Sequence, residues 1–152
     1  EDEMFRNKDW FIAEICVHLA GYVAEKVKFG VTSSGVSSDF KHAVRLAHYM
    51  VWSLGMGKSE LLGDYSTVNG AELAGSVKEK LNADTQEILR DCLTRVEEIL
   101  KKENEIFERF AQELIKREEL DYDDIEAIFK EYGKSNPRVT AKYVPKTESP
   151  KA

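Results

Sequence analysis

The chain has 152 residues, 42% hydrophobic and 33% charged, a profile that excludes fibrous and disordered classes and supports one folded, soluble helical domain with a real core. Its formal net charge is −6, but residues 1–133 hold 17 basic and 27 acidic groups, while residues 134–152 set Lys134, Arg138, Lys142, Lys146 and Lys151 against Glu148 alone. An acidic body excludes nucleic acid as a partner, and the basic groups of the tail are too sparse for a polybasic patch.

Residues 7–28 read as a first helix that is apolar nearly all round through Trp10, Phe11, Ile12, Ile15, Val17, Leu19 and Val23, so it belongs at the centre of a bundle. Its most apolar stretch, residues 10–24, is fifteen positions long and contains Glu14 and His18, whereas a membrane span needs about twenty apolar residues. The chain opens on Glu1 and reaches this run within a few residues, as a piece of a longer polypeptide would. Cys16 lies here and Cys92 far downstream; with no signal peptide ahead of them, the two read as reduced core thiols.

A second helix is expected from the cap cluster Ser37-Ser38-Asp39, with Phe40, Ala43, Val44, Ala47, Val51 and Leu54 at spacings of three and four, ending at Gly55. Residues 61–70 hold a short strand or irregular structure. From Asn82, taken as a cap, Ile88, Cys92, Val96, Ile99, Leu100, Phe107, Phe110 and Leu114 trace one apolar stripe with a break near Asn104, which predicts two antiparallel helices. A last helix is predicted over 122–132, stopped by Gly133 at a left-handed cap, and all three prolines fall after it, at Pro137, Pro145 and Pro150. The fold class is therefore all-α: a bundle of about five helices over residues 1–133, followed by a flexible basic tail over 134–152.

Several motifs imitate chemistry that the spacing denies. The three histidines, His18, His42 and His48, form no H-E-x-x-H, the pattern that puts two zinc ligands and a base on one helical face. His42 and His48, six apart on one helix, point to different faces and cannot chelate one ion together, and Cys16 and His18 likewise face apart. Gly57-Lys58-Ser59 resembles the end of a phosphate-binding loop, but the required upstream glycine is Trp52. The acids Asp121, Asp123, Asp124 and Glu126 lack the glycine of a calcium loop and read as first-turn acids of a helix. Asp39 alone has the same plain reading, a carboxylate capping the second helix.

The order of residues from Gly21 changes the weight on Asp39. Gly21-Tyr22-Val23-Ala24-Glu25-Lys26-Val27-Lys28-Phe29-Gly30 followed by Ser33-Ser34-Gly35-Val36-Ser37-Ser38-Asp39-Phe40 resembles the G-R-x-A-E-E-x-x-F-G … S-T-G-A-S-N-D signature of FtsH-type proteases. The similarity continues through Ala43, Ala47, Met50, Val51, Gly55 and Met56 to Leu61-Leu62-Gly63, then through Leu81-Asn82-Ala83-Asp84-Thr85 and Leu120-Asp121 to Ile125. Tyr22 stands for the family's Arg, Lys26 for its second Glu and Ala20 for its first Gly.

The resemblance implies an FtsH peptidase-like helical fold in which Asp39 is the third zinc ligand, joining two histidines of an upstream H-E-x-x-H helix, with Glu25 in a supporting role. It also implies a parent that is an ATP-dependent zinc endopeptidase, with magnesium and ATP at a separate ATPase module. That parent would be hexameric, sit on the cytoplasmic face of a membrane and act on unfolded or membrane proteins, and this piece would be inactive alone. The rival reading is a non-catalytic helical assembly domain of a diverged FtsH-like ATPase. In either case the all-round apolar first helix predicts that the isolated piece self-associates.

Overall fold

The computed structural model describes residues 6–135; the predicted tail, apart from Lys134 and Ser135, lies outside them. Five α-helices and no strand occur among the described residues: α1 (Lys8–Phe29), α2 (Ser37–Trp52), α3 (Gly75–Lys102), α4 (Asn104–Arg117) and α5 (Tyr122–Glu131). They fall into two compact units, the first ending at Lys102 and the second beginning at Glu103.

In the first unit α1 is capped by Asn7, whose side chain accepts from Trp10 N, and it stops where Gly30 turns left-handed at φ 71° and returns its N–H to Lys26 O. Phe11, Ile15, Leu19 and Val23, each four residues on from the last, form one buried ridge. α2 answers with Ala43, Ala47, Met50 and Val51, and α3 with Leu81, Ile88 and Cys92, so all three helices share one core. Each fully buried aliphatic side chain contributes about 1.5–3 kcal/mol. The centrality expected of α1 holds, since it packs on both α2 and α3. Its far side is nonetheless open at Val17, which is 66% exposed, and at its C-terminal end Phe29 is 69% exposed.

Two expected helix starts differ in the structure. α3 begins at Gly75, so Asn82 is an exposed residue within the helix and not its cap; the apolar stripe that places the helix extends back to Leu81 and the partly buried Val77. α2 begins at Ser37, but no side chain caps it. A 3-10 turn, Ser34–Val36, runs straight into it: Ser33 caps that turn by accepting from Gly35 N, and Ser37 N bonds to Ser34 O. The helix is fed from a formed turn, and Asp39 has no capping to do.

Residues 61–70 are irregular with a short 3-10 turn, Tyr65–Thr67. Just before them, the Gly55–Ser59 segment is fastened to α3. The buried Asp84 carboxylate accepts from Ser59 N at 2.9 Å and Ser59 Oγ at 2.8 Å, and Lys58 pairs with Glu87 and Asp91. The phosphate-loop imitation is thus a loop bound to a helix. A Cβ on Gly57 would overlap the Asp84 side chain.

The second unit is the pair α4 and α5, with Ile106 and Ile128 buried and Phe110 edge-on to Phe129 at 5.4 Å. Asp121 caps α5 through a reciprocal box with Asp124; of the four acids expected in the first turn, Asp123 and Asp124 lie there. At the other end Gly133 has φ 66°, and Lys134 N reaches back to Phe129 O at 2.8 Å, closing the helix as predicted. Arg109 binds Glu113 and Glu131, and Arg117 binds Asp124 and lies 3.8 Å from Glu113. These guanidiniums hold the Glu113 and Asp124 carboxyls below their ordinary values.

Two outcomes follow from this packing. Gly57→Ala should destabilise the first unit by about 1–3 kcal/mol, and combining it with Asp84→Ala should cost clearly less than the sum of the two single changes; denaturant titration of the four proteins measures this, and strict additivity would refute the overlap. In the second unit, carboxyls with lowered folded-state values contribute stability that is full above their ordinary range, 4.5 for Glu and 3.8 for Asp, and is lost as pH falls through the lowered values. Acidification below about pH 4 should therefore loosen the α4–α5 pair, seen as collapse of the Phe110 and Phe129 ring shifts by NMR. Arg117→Ala should flatten that dependence.

Candidate metal-ligand site

Asp39 lies in the first turn of α2, and its carboxylate faces α1. Oδ1 is 3.6 Å from His18 Nδ1, with the Asp39 side chain 42% exposed. Oδ2 lies 3.5 Å from where a Cβ on Gly21 would stand, an ordinary contact distance, so the carboxylate borders α1 at this position. His18 and Gly21 are three apart and therefore share one face of α1. Since Asp39 makes no capping bond, its oxygens are not spent on its own helix.

The first turn of α2 is pinned against α1 by rings. Phe40 packs on Tyr22 at 4.9 Å, and His42 stacks on His18 with centroids 5.0 Å apart and planes 20° from parallel. Residue types alone missed this cluster, because His18 and His42 sit on different helices and only tertiary packing joins them. The one local oddity was Gly21, a glycine in a helix interior, which costs about 1 kcal/mol relative to alanine. His48, as expected, goes elsewhere and stacks on Trp52 at 4.7 Å.

Glu25 reaches the same region through the loop rather than by touching Asp39. Its Oε2 accepts from Ser33 N at 2.7 Å and its Oε1 from Ser33 Oγ at 3.0 Å. These charge-assisted bonds are among the stronger kinds available to a surface loop. Ser33 Oγ in turn accepts from Gly35 N at 3.2 Å. A chain of contacts thus runs from the end of α1 through Ser33 into the turn from which α2, and Asp39 with it, begins.

Other reactive groups are accounted for structurally. Cys16 Sγ lies 3.8 Å from Cys92 O, and Cys92 Sγ lies 3.9 Å from Ile12 O, each thiol donating across the α1–α3 seam. Burial, aided by the neighbouring Cys16, pushes the Cys92 thiol up to about 12, which keeps it protonated and unreactive. The shallow pocket on the second unit is lined by Arg109, Glu113, Arg117, Asp124 and Glu131, whose charges are spent on one another. Among the described residues, no group of three or more His, Cys, Asp or Glu side chains converges as a complete metal site.

Comparison with known proteins gives the family. The profile of peptidase family M41 matches residues 1–128. The chain is similar to the ATP-dependent zinc metalloprotease FtsH of Bacillus subtilis (strain 168), at 30% identity over 142 residues, covering 84% of this chain and 22% of the relative. It is likewise similar to FtsH 4 of Sorangium cellulosum (strain So ce56), at 28% over 140 residues with coverages of 84% and 22%. FtsH 1 of Thermomicrobium roseum (strain ATCC 27502 / DSM 5159 / P-2) is 30% identical over 144 residues, with coverages of 86% and 22%. The chain thus spans about a fifth of the length of these relatives. With a profile match that runs through α1, α2 and α3 and carries Glu25 and Asp39 within it, the chain belongs to peptidase family M41.

Proposed function

We propose that this chain is the helical part of the peptidase domain of an ATP-dependent zinc metalloprotease, and that Asp39 is its one contribution to the metal. The observation that supports this most directly is the Asp39 carboxylate itself: in the first turn of a helix it is released from capping and is partly open to solvent. One carboxylate oxygen is a suitable ligand for zinc, and two histidines carried elsewhere in a longer polypeptide would complete a three-ligand catalytic set. Zinc bound there would act as a Lewis acid and activate water toward a peptide carbonyl.

The chain's own residues would do the positioning. Phe40 on Tyr22 and the Glu25–Ser33 clamp fix where α2 starts, and thereby where Asp39 stands relative to α1. The ATPase module with its magnesium and ATP, the hexameric assembly, membrane association and unfolded or membrane protein substrates belong to the same reading of the parent. No helix among the described residues is long and apolar enough to cross a membrane, so any anchor would lie elsewhere. The apolar residues that α1 leaves exposed, Val17, Val27 and Phe29, also suit the second reading, an assembly domain whose metal chemistry has lapsed.

The two readings part on Asp39. In the polypeptide extended to the upstream histidines, Asp39→Ala should lose zinc, measured by mass spectrometry of the metal, and should abolish cleavage of an unfolded protein; retained zinc with full proteolysis defeats the protease reading. Glu25→Ala, which removes both bonds to Ser33, should weaken zinc retention by about 10-fold or more while leaving the helical content unchanged by circular dichroism.

A further inference from the structure

We propose that His18 is a positioning residue that sets the rotation of the Asp39 carboxylate and so selects Oδ2 as the oxygen offered to the metal; this rests on the reading of Asp39 as a ligand. Three contacts point the same way. His18 Nδ1 stands 3.6 Å from Oδ1, a separation that a small rotation of either side chain brings into hydrogen-bond range, and such bonds commonly tighten only when a site is loaded. The His18 imidazole is restrained, because it stacks on His42 and is 28% exposed against 42% for Asp39. Gly21, one turn further along α1, borders Oδ2, which lies 3.5 Å from the place of a Cβ there.

The physical need is general. A carboxylate on a metal is a good ligand only when its rotation is fixed, and an outer partner that donates to the non-ligating oxygen fixes it. Here an N–H on His18 Nδ1 would donate to Oδ1. That leaves Oδ2, over the glycine, as the oxygen free to ligate. His42 acts one step further out, holding the His18 ring by its face. The arrangement costs α1 a polar residue on a helix otherwise rich in apolar positions, which is the expense expected of a site rather than of packing.

Metal release, cobalt spectra and nitrogen shifts separate this role from simple packing. In the zinc-loaded longer polypeptide, His18→Phe keeps a ring to stack on His42 but removes the donor, so zinc should pass to an excess of chelator about 10–100-fold faster than from the wild type. His18→Asn, whose amide nitrogen sits near the place of Nδ1, should restore most of the difference. The d–d absorption of the cobalt-substituted proteins should follow the same order, while melting temperatures of the metal-free proteins stay together. In the 152-residue chain alone, the 15N shifts of the His18 ring should report a proton on Nδ1 that responds to Asp39→Asn. Wild-type zinc release and an unchanged cobalt spectrum in His18→Phe would overturn the proposal, as would His18 nitrogens indifferent to Asp39→Asn. If Asp39→Ala itself holds zinc as tightly as the wild type, it is the ligand reading of Asp39 that fails. Should His18→Phe not fold, the Asn variant and the nitrogen shifts decide.

Discussion

The first unit depends on the ridge that α1 presents at every fourth residue: Phe11, Ile15, Leu19 and Val23. A straight four-residue repeat on a helix of 3.6 residues per turn drifts around the axis, so the ridge can meet α2 and α3 in turn instead of a single partner. Once that ridge is buried, the sides of α1 are assigned. Cys16 falls into the seam with α3, and His18 and Gly21 fall beside the start of α2. The geometry around Asp39 is therefore a by-product of where the core places α1, refined by two local devices: the aromatic contact of Phe40 with Tyr22 and the clamp from Glu25 to Ser33.

Much of this was legible in the order of residues. The end of α5 was marked by Gly133, which adopts positive φ, and the core positions of α2 by the spacing of Ala43, Ala47 and Val51. The break near Asn104 was legible too, and α4 starts at that residue. What misled was capping chemistry read without its context. Asn82 has the right side chain for a cap but stands on the exposed face of a helix that had already begun. Ser37, Ser38 and Asp39 look like a cap cluster, yet the preceding turn already satisfies the start of α2. A side chain suited to a cap is a cap only where backbone N–H groups are still unpaired.

The candidate site divides in the same way. Asp39 and Glu25 could be picked out because they stand at fixed places in a recognisable order. The means by which Glu25 acts, two bonds to Ser33 across a tight loop, depend on how that loop closes. His18 and His42 had been set aside singly, since each alone on a helix is unremarkable; what gives them meaning is a distance between helices, and no spacing along the chain encodes it. Asp84 belongs with them. It is a buried carboxylate whose partner, Ser59, lies in a loop 25 residues away, and its burial is tolerable because both of its oxygens are satisfied.

The distribution of indoles has a practical side. The only two tryptophans, Trp10 and Trp52, both lie before Lys102, one edge-on to Phe11 and the other stacked beneath His48. Intrinsic fluorescence excited at the red edge consequently watches the α1–α2–α3 unit and is blind to α4 and α5. An emission-monitored unfolding curve can look like one complete transition while the α4–α5 unit has already come apart, or has not yet moved.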